Sequence, residues 1–274
     1  MVESQAAMSL TEGTDPVSHR RRLLLAGGAG LALASLQGCG TSRPPGIDAQ
    51  GAPLPDHVSK FSPLPADGAL PAGWRPSKTW LTKKKTIYST VAMNDATVVQ
   101  AESAGSASGI YCDVDIAATR TRRLQWQWLA HELIPEADVG DGKRDDAVAR
   151  VLVSMSSNGT KLGIRDLIFA EQARLFAGIE VPHSTLIYVW DTSQPPGSVF
   201  HIPETSRVRY LVVESGPENL GQWRSYERDF HADFALAYPD EVPGNVTSVG
   251  ITTDSNNTNS RAQAWYGDIA FEAG

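Results

Sequence analysis

Apolar and polar residues alternate with a period of two along most of the chain beyond residue 86. In residues 110–116, Ile110, Cys112, Val114 and Ile116 alternate with Tyr111, Asp113 and Asp115, the pattern of a half-buried strand. Residues 124–129 repeat it, with Trp126 and Trp128 on one side and Gln125 and Gln127 on the other. The segments 97–102, 147–153, 186–190, 208–214, 223–230 and 246–253 read as further strands, divided by turn-rich stretches such as 103–109 and 195–197. In the closing segment Trp265, Ile269 and Phe271 are expected on the buried side, with Ala264, Tyr266, Asp268 and Ala270 opposite. Helix is expected only over 166–176, capped by Asp166 and ended by Gly178, and near 230–238. Short strands with brief helices predict an all-β fold. The expected architecture is an antiparallel β-sandwich, jelly-roll-like, with one or two short helices, spanning 74–274.

The first 73 residues follow other rules. Arg20, Arg21 and Arg22 precede an apolar run over 23–36, which is shorter than the roughly 20 residues needed to cross a bilayer. Charge before a short apolar run is the layout of an export signal, and the paired arginines are similar to the twin-arginine type. The run closes on Leu36-Gln37-Gly38-Cys39, which resembles a lipobox, although Gln37 stands where a small residue is usual. Residues 1–39 therefore predict export to the periplasm or cell envelope, with Cys39 as the lipidation site and a lipid anchor as the membrane contact. The Pro-rich stretch 40–73 predicts a linker behind that anchor.

Composition narrows the partners. The chain has 24 Lys+Arg against 31 Asp+Glu, net −7, and so lacks the basic footprint of a nucleic-acid binder. A hydrophobic content of 41% over 274 residues suffices for one sizeable core. None of the six histidines pairs with another at metal-ligand spacing, so neither metal nor cofactor is expected. The loop 135–146 holds Asp138, Asp141, Asp145 and Asp146 without the EF-hand order; a solvated acidic loop is the better reading, a loose Ca²⁺ site the weaker one. Lys83, Lys84 and Lys85 read as a charged edge before a strand. Cys112 reads as a small core residue if Cys39 is lipidated; a disulfide between the two is the lesser alternative.

Several segments occur in an order that carries a resemblance. They are Trp126-Gln127-Trp128, residues 144–151 (RDDAVARV), Tyr188-Val189-Trp190, residues 253–258 (TDSNNT) and Tyr266-Gly267-Asp268-Ile269. Together, over about 80–272, they resemble the bacterial family DUF3047. Ser255 stands where that family often has an acidic residue, and 160–180 looks like an insertion. The family implies no activity. A weaker likeness, in the aromatic-x-Asp-Ile of the last strand, is to jelly-roll carbohydrate-binding modules, and it is an analogy of fold alone.

One residue asks for chemistry. Arg150 lies inside an apolar strand, where a guanidinium must be paired or reach a cleft. The available carboxylates are Asp145, Asp146, Asp254 and Asp268. Arg150, Asp146, Asp254, Asn256, Asn257, Tyr266 and Asp268 are the candidate lining of a polar cleft. Trp126, Trp128 and Trp190 are candidates for a sugar-stacking platform, with burial in the core as the alternative. The expected function is non-catalytic binding of carbohydrate or another small polar ligand in the envelope. The alternatives are a carboxylate-dependent hydrolase such as a glycosidase, using Asp146 and Asp268, and a structural or assembly lipoprotein.

Overall fold

The computed structural model describes residues 46–48, 50–77, 84–177 and 179–273, which fall in one compact unit. The arginines at 20–22, Cys39, Lys83 and the expected helix stop at Gly178 lie outside the described residues.

Two sheets face each other. The larger is built from β1 (Arg75–Pro76), β4 (Gly109–Ile116), β11 (Val246–Asp254), β6 (Ala147–Met155), β7 (Ser184–Asp191), β9 (Val208–Ser215) and β8 (Val199–His201), in that spatial order. The smaller runs β10 (Arg224–Asp229), β5 (Arg123–Ala130), β12 (Arg261–Tyr266), β3 (Ala96–Ala104), β2 (Ile87–Met93), with β13 (Ala270–Glu272) beside β5. Ile110, Cys112, Val114 and Ile116 of the first meet Trp126, Trp128, Ala264 and Tyr266 of the second in one core. The all-β sandwich is as expected, with one departure. β7 and β9 pair in parallel, because the chain crosses back through the short edge strand β8 before re-entering in the same direction.

β6 and β7 are buried along their whole length. Their outer faces carry a second apolar layer, in which Leu152, Ile187 and Val189 meet Val139, Tyr210 and Val212, with Phe200 and Ile202 against them. Burial on both faces is why 147–153 and 186–190 read as continuous apolar runs rather than alternations. It also explains how Arg150, on the outer side of β6, comes to be buried.

Three expectations need correction. The closing segment is not a single strand. β12 ends at Tyr266, and a side chain on Gly267 would run into Gln127. The break shifts the phase, so Ala262, Ala264 and Tyr266 point inward and Trp265 is only half-buried on the outside. Ile269 is buried, and Phe271 packs edge-on against Phe230 at 5.4 Å. The second correction is the linker. Val58, Phe61 and Trp74 are buried in the main core, with the Phe61 and Trp74 rings 4.8 Å apart. Val58 and Phe61, inside the expected linker, thus pack in the core of the folded unit ahead of residue 74.

The helices are α1 (Ile164–Ala177) and α2 (Phe230–Ala237). Asp229 caps α2 by accepting from the Ala232 N–H. Asp166 is not the expected cap: it sits in the first turn of α1, and its carboxylate accepts from Thr205 Oγ1, Ser206 N and Ser206 Oγ. Cys112 is a buried free thiol, its pKa raised by burial. No helix among the described residues is long and apolar enough to cross a membrane.

Candidate functional site

Arg150 is held from three sides. Its Nη1 donates to Asp254 Oδ2 at 2.5 Å, its Nη2 donates to the Asp145 carbonyl, and its guanidinium lies 5.3 Å from the centre of the Tyr210 ring. Burial pulls the guanidinium pKa down, but the charges around it, Asp254 foremost, hold it above the usual arginine value. Burial likewise pushes the Asp254 carboxyl up, opposed by Arg150. Arg150 Nε has no partner among the described residues.

Two loops are stitched together above this pair. Asp146, buried, accepts from Asn257 N, Thr258 N and Thr258 Oγ1 at 3.0, 2.7 and 2.7 Å. Asp254 also accepts from Ala147 N at 2.9 Å. Asn257 Nδ2 donates to Asp145 Oδ1 at 2.5 Å, and Asn256 Nδ2 donates to Asn257 Oδ1 at 2.6 Å. Carboxylates at 145, 146 and 254 thus lie where β6 begins and β11 ends, and a polar loop after β11 supplies the donors.

Beside this assembly lies a cleft of about 390 Å³, lined by Val139 to Lys143, Asp145, His201 to Glu204 and Tyr210. Tyr210 donates its hydroxyl to Asp145 Oδ2 at 3.3 Å. Asp145 is therefore a wall residue with both oxygens engaged and its own carbonyl gripped by Arg150. Arg150 sits behind that wall. The other acids of the loop turn to local donors: Asp138 to Gly140 N and Gln194 Nε2, and Asp141 to Lys143 N and Arg144 Nε. No group of three or more His, Cys, Asp or Glu among the described residues is arranged to hold a metal ion.

The remaining candidates lie elsewhere. Tyr266 is in the core beneath Arg150; its hydroxyl accepts from Arg150 N and donates to Thr252 O, and burial pushes its pKa up. Trp126, Trp128 and Trp190 are buried: Trp126 stacks on Tyr226 at 4.7 Å, and Trp128 lies 6.4 Å from Trp190. Their ring faces are taken up by core neighbours, as in the alternative of burial. Asp268 accepts from Phe61 N, Ser62 N and Ser62 Oγ at 2.7, 2.9 and 2.6 Å, fastening the N-terminal stretch. It also lines a shallow groove on the smaller sheet together with Gln125, Trp126, Gln127, Tyr226 and Glu227, so Asp268 and Trp126 are neighbours there. Arg150 and Asp268 therefore share no cleft, and Asp146 and Asp268 form no acid–base pair.

Sequence reading missed Tyr210, Lys143, His201 and Glu204. Tyr210 carried a usable signal, since Val208, Tyr210 and Val212 alternate on one face of β9. The other three sit in loops without periodicity.

These features define a two-sheet β-sandwich with a polar cleft on the outer side of its larger sheet. The chain belongs to the family DUF3047, described as a protein family of unknown function, which matches residues 72–270. Among solved structures it is similar to the K1 adhesin domain of Lys-gingipain from Porphyromonas gingivalis. That likeness has 11% identity and a TM-score of 0.36, over 79% of this chain and 97% of that one. The K3 adhesin domain of the same protein gives 13% identity and 0.36, over 79% and 99%. A cellulose induced protein, Cip1, gives 9% and 0.29, over 73% and 91%. Likeness at this level carries no functional argument. No curated protein matches the chain.

Proposed function

We propose that this chain is an exported, non-catalytic binding protein of the cell envelope, and that the cleft at Asp145 and Tyr210 takes a small polyhydroxylated ligand of the saccharide class. Asp141, Asp145 and Glu204 offer acceptors for hydroxyl groups, Lys143 and His201 offer donors, and Val139, Ile202 and Pro203 give apolar wall. The observation that carries the reading is the immobilisation of Asp145. With Asn257 on one oxygen, Tyr210 on the other and Arg150 on its carbonyl, the carboxylate is set before any ligand arrives, which cuts the ordering cost of binding. The export part rests on Arg20 to Arg22, with Cys39 as the lipid-bearing residue.

The test is a thermal-shift screen of neutral and acidic saccharides on the full chain and on Tyr210→Phe. A ligand at about 100 times its Kd adds roughly 2.7 kcal/mol to stability, a shift of several degrees. A saccharide that raises Tm in the wild type and less in Tyr210→Phe supports the cleft. No shift with any saccharide, or a shift that Tyr210→Phe leaves unchanged, rejects it.

A further inference from the structure

The end of the sandwich away from Asp145 and Asp254 carries exposed apolar helix residues that are not covered by any of the described residues. α1 joins the end of β6 at Met155 to the start of β7 at Ser184. Ile164 is 74% exposed, Leu167 50%, Ile168 51% and Leu175 62%. They stand three, four and eleven residues after Ile164, on one side of the helix, with Glu171, seven residues after Ile164 and paired with Arg174, between them. A surface helix usually turns such residues to the core. Here the helix meets the body through Asp166, bonded to Thr205 and Ser206, and through buried Ala173, and these four apolar residues face out. Val242, 69% exposed, lies in the loop before β11 and is tied through its carbonyl to Asn158, just after β6, so it belongs to the same end. Single exposed apolar side chains are ordinary, whereas a cluster marks an interaction surface.

Two observations indicate what covers it. First, the chain enters the folded unit at this end. Gly46 abuts Asp115 near the end of β4, Asp115 accepts from Asn245, and Ser156, just after β6, donates to the Asn245 carbonyl. Cys39 is seven residues upstream of Gly46, and seven residues reach at most about 25 Å. Second, Lys161 and Arg165 are exposed at the start of α1, and neither has a carboxylate partner among the described residues. Cations at a helix N-terminus oppose its dipole, so they do not serve the helix. Beside exposed apolar residues they suit anionic headgroups.

We propose that this end docks on an anionic lipid surface, with Ile164, Leu167, Ile168 and Leu175 at the acyl boundary and Lys161 and Arg165 on the phosphates. Asp145 and the loop after β11 would then point away from the bilayer, since β6 carries them roughly 26 Å from Met155 at about 3.3 Å per residue. The inference stands whether or not the cleft binds a saccharide.

The test uses the full chain with Cys39→Ser, so that lipidation plays no part. One added cysteine carries an environment-sensitive dye, at Ile168→Cys or, as a control at the far end, at Arg261→Cys. Both sites are exposed, and Cys112 is buried beyond labelling. Vesicles of phosphatidylethanolamine with phosphatidylglycerol should blue-shift the dye at 168 and leave it unchanged at 261. Adding Lys161→Glu and Arg165→Glu should weaken that response at least several-fold. Three results would overturn the proposal. The dye at 168 could stay unshifted even though the protein floats with the vesicles, which would assign binding to another segment. It could shift with protein concentration alone, which would place a second copy on the helix. It could also give no response under any condition.

Discussion

Arg150 and Asp254 stand 104 residues apart in the chain and 2.5 Å apart in the fold, where they join the start of β6 to the end of β11 as a buried ion pair. Removing one partner leaves the other charge uncompensated in the interior. Asp254→Asn should therefore cost about 3–5 kcal/mol in chemical denaturation, while Arg150→Met combined with Asp254→Asn should recover much of that loss. The pair Arg150→Met and Asp268→Asn should instead be additive within about 0.5 kcal/mol. Strong coupling between positions 150 and 268 would contradict the separation of the two sites.

Asp268 has a different task. It is the acceptor for two N–H groups and a hydroxyl of the N-terminal stretch. Asp268→Ala should cost about 1–3 kcal/mol and raise hydrogen exchange around Phe61 while leaving the Arg150 region protected. Uniform exchange across the protein in that variant would show that the stretch is fastened by other means.

Glu241 sets a pH dependence. Its carboxylate is bound by both terminal nitrogens of Arg207, and that hydrogen bond, ahead of burial, lowers its pKa below the usual value. A depressed carboxylate stabilises the fold above its unfolded pKa, about 4.3, and loses that contribution as pH falls through the lower folded value. Glu241→Gln should thus be less stable than wild type at pH 7, and the gap should start to shrink near the unfolded value and close as pH falls through the lower folded one. A gap in Tm that stays constant from pH 7 to pH 3 would contradict this sign.

Trp128 and Trp265 separate core from surface. Trp128 is fully buried and Trp265 half-buried on the outer side. Trp128→Ala should cost about 3–5 kcal/mol, against well under half of that for Trp265→Ala. Acrylamide should quench the emission of Trp265 and spare that of Trp126 and Trp128.

Processing is testable in cells. Replacing Arg20 and Arg21 with Lys should keep the protein out of the envelope, and Cys39→Ser should abolish lipid labelling. Envelope localisation unchanged by the first, or no lipid on the wild type, would contradict the respective reading.

The strands were legible because alternation is a local property. Ile110 to Ile116 declare a buried face within seven residues, and the structure keeps that face inward. The closing segment shows where this stops. Its apolar positions were visible, but the break after Tyr266 depends on the close approach of Gln127, from a strand more than a hundred residues earlier. One residue of phase then reversed the sides of Trp265 and Tyr266. The tether misled for a similar reason. Its prolines do preclude regular structure, yet Val58 and Phe61 find the core only once the two sheets exist to receive them.

What the sequence determined by itself was the all-β class, the approximate span of most strands, and the necessity that Arg150 be paired or reach a cleft, since a guanidinium keeps its charge and burying that charge unpaired is too costly. Which carboxylate pairs with it was decided only by the tertiary structure. Asp145, Asp146, Asp254 and Asp268 are equivalent as letters, and charge attracts charge over any sequence separation. The antiparallel register of β6 with β11 brings Asp254 to Arg150, while the break after β12 turns Asp268 to Phe61 and Ser62.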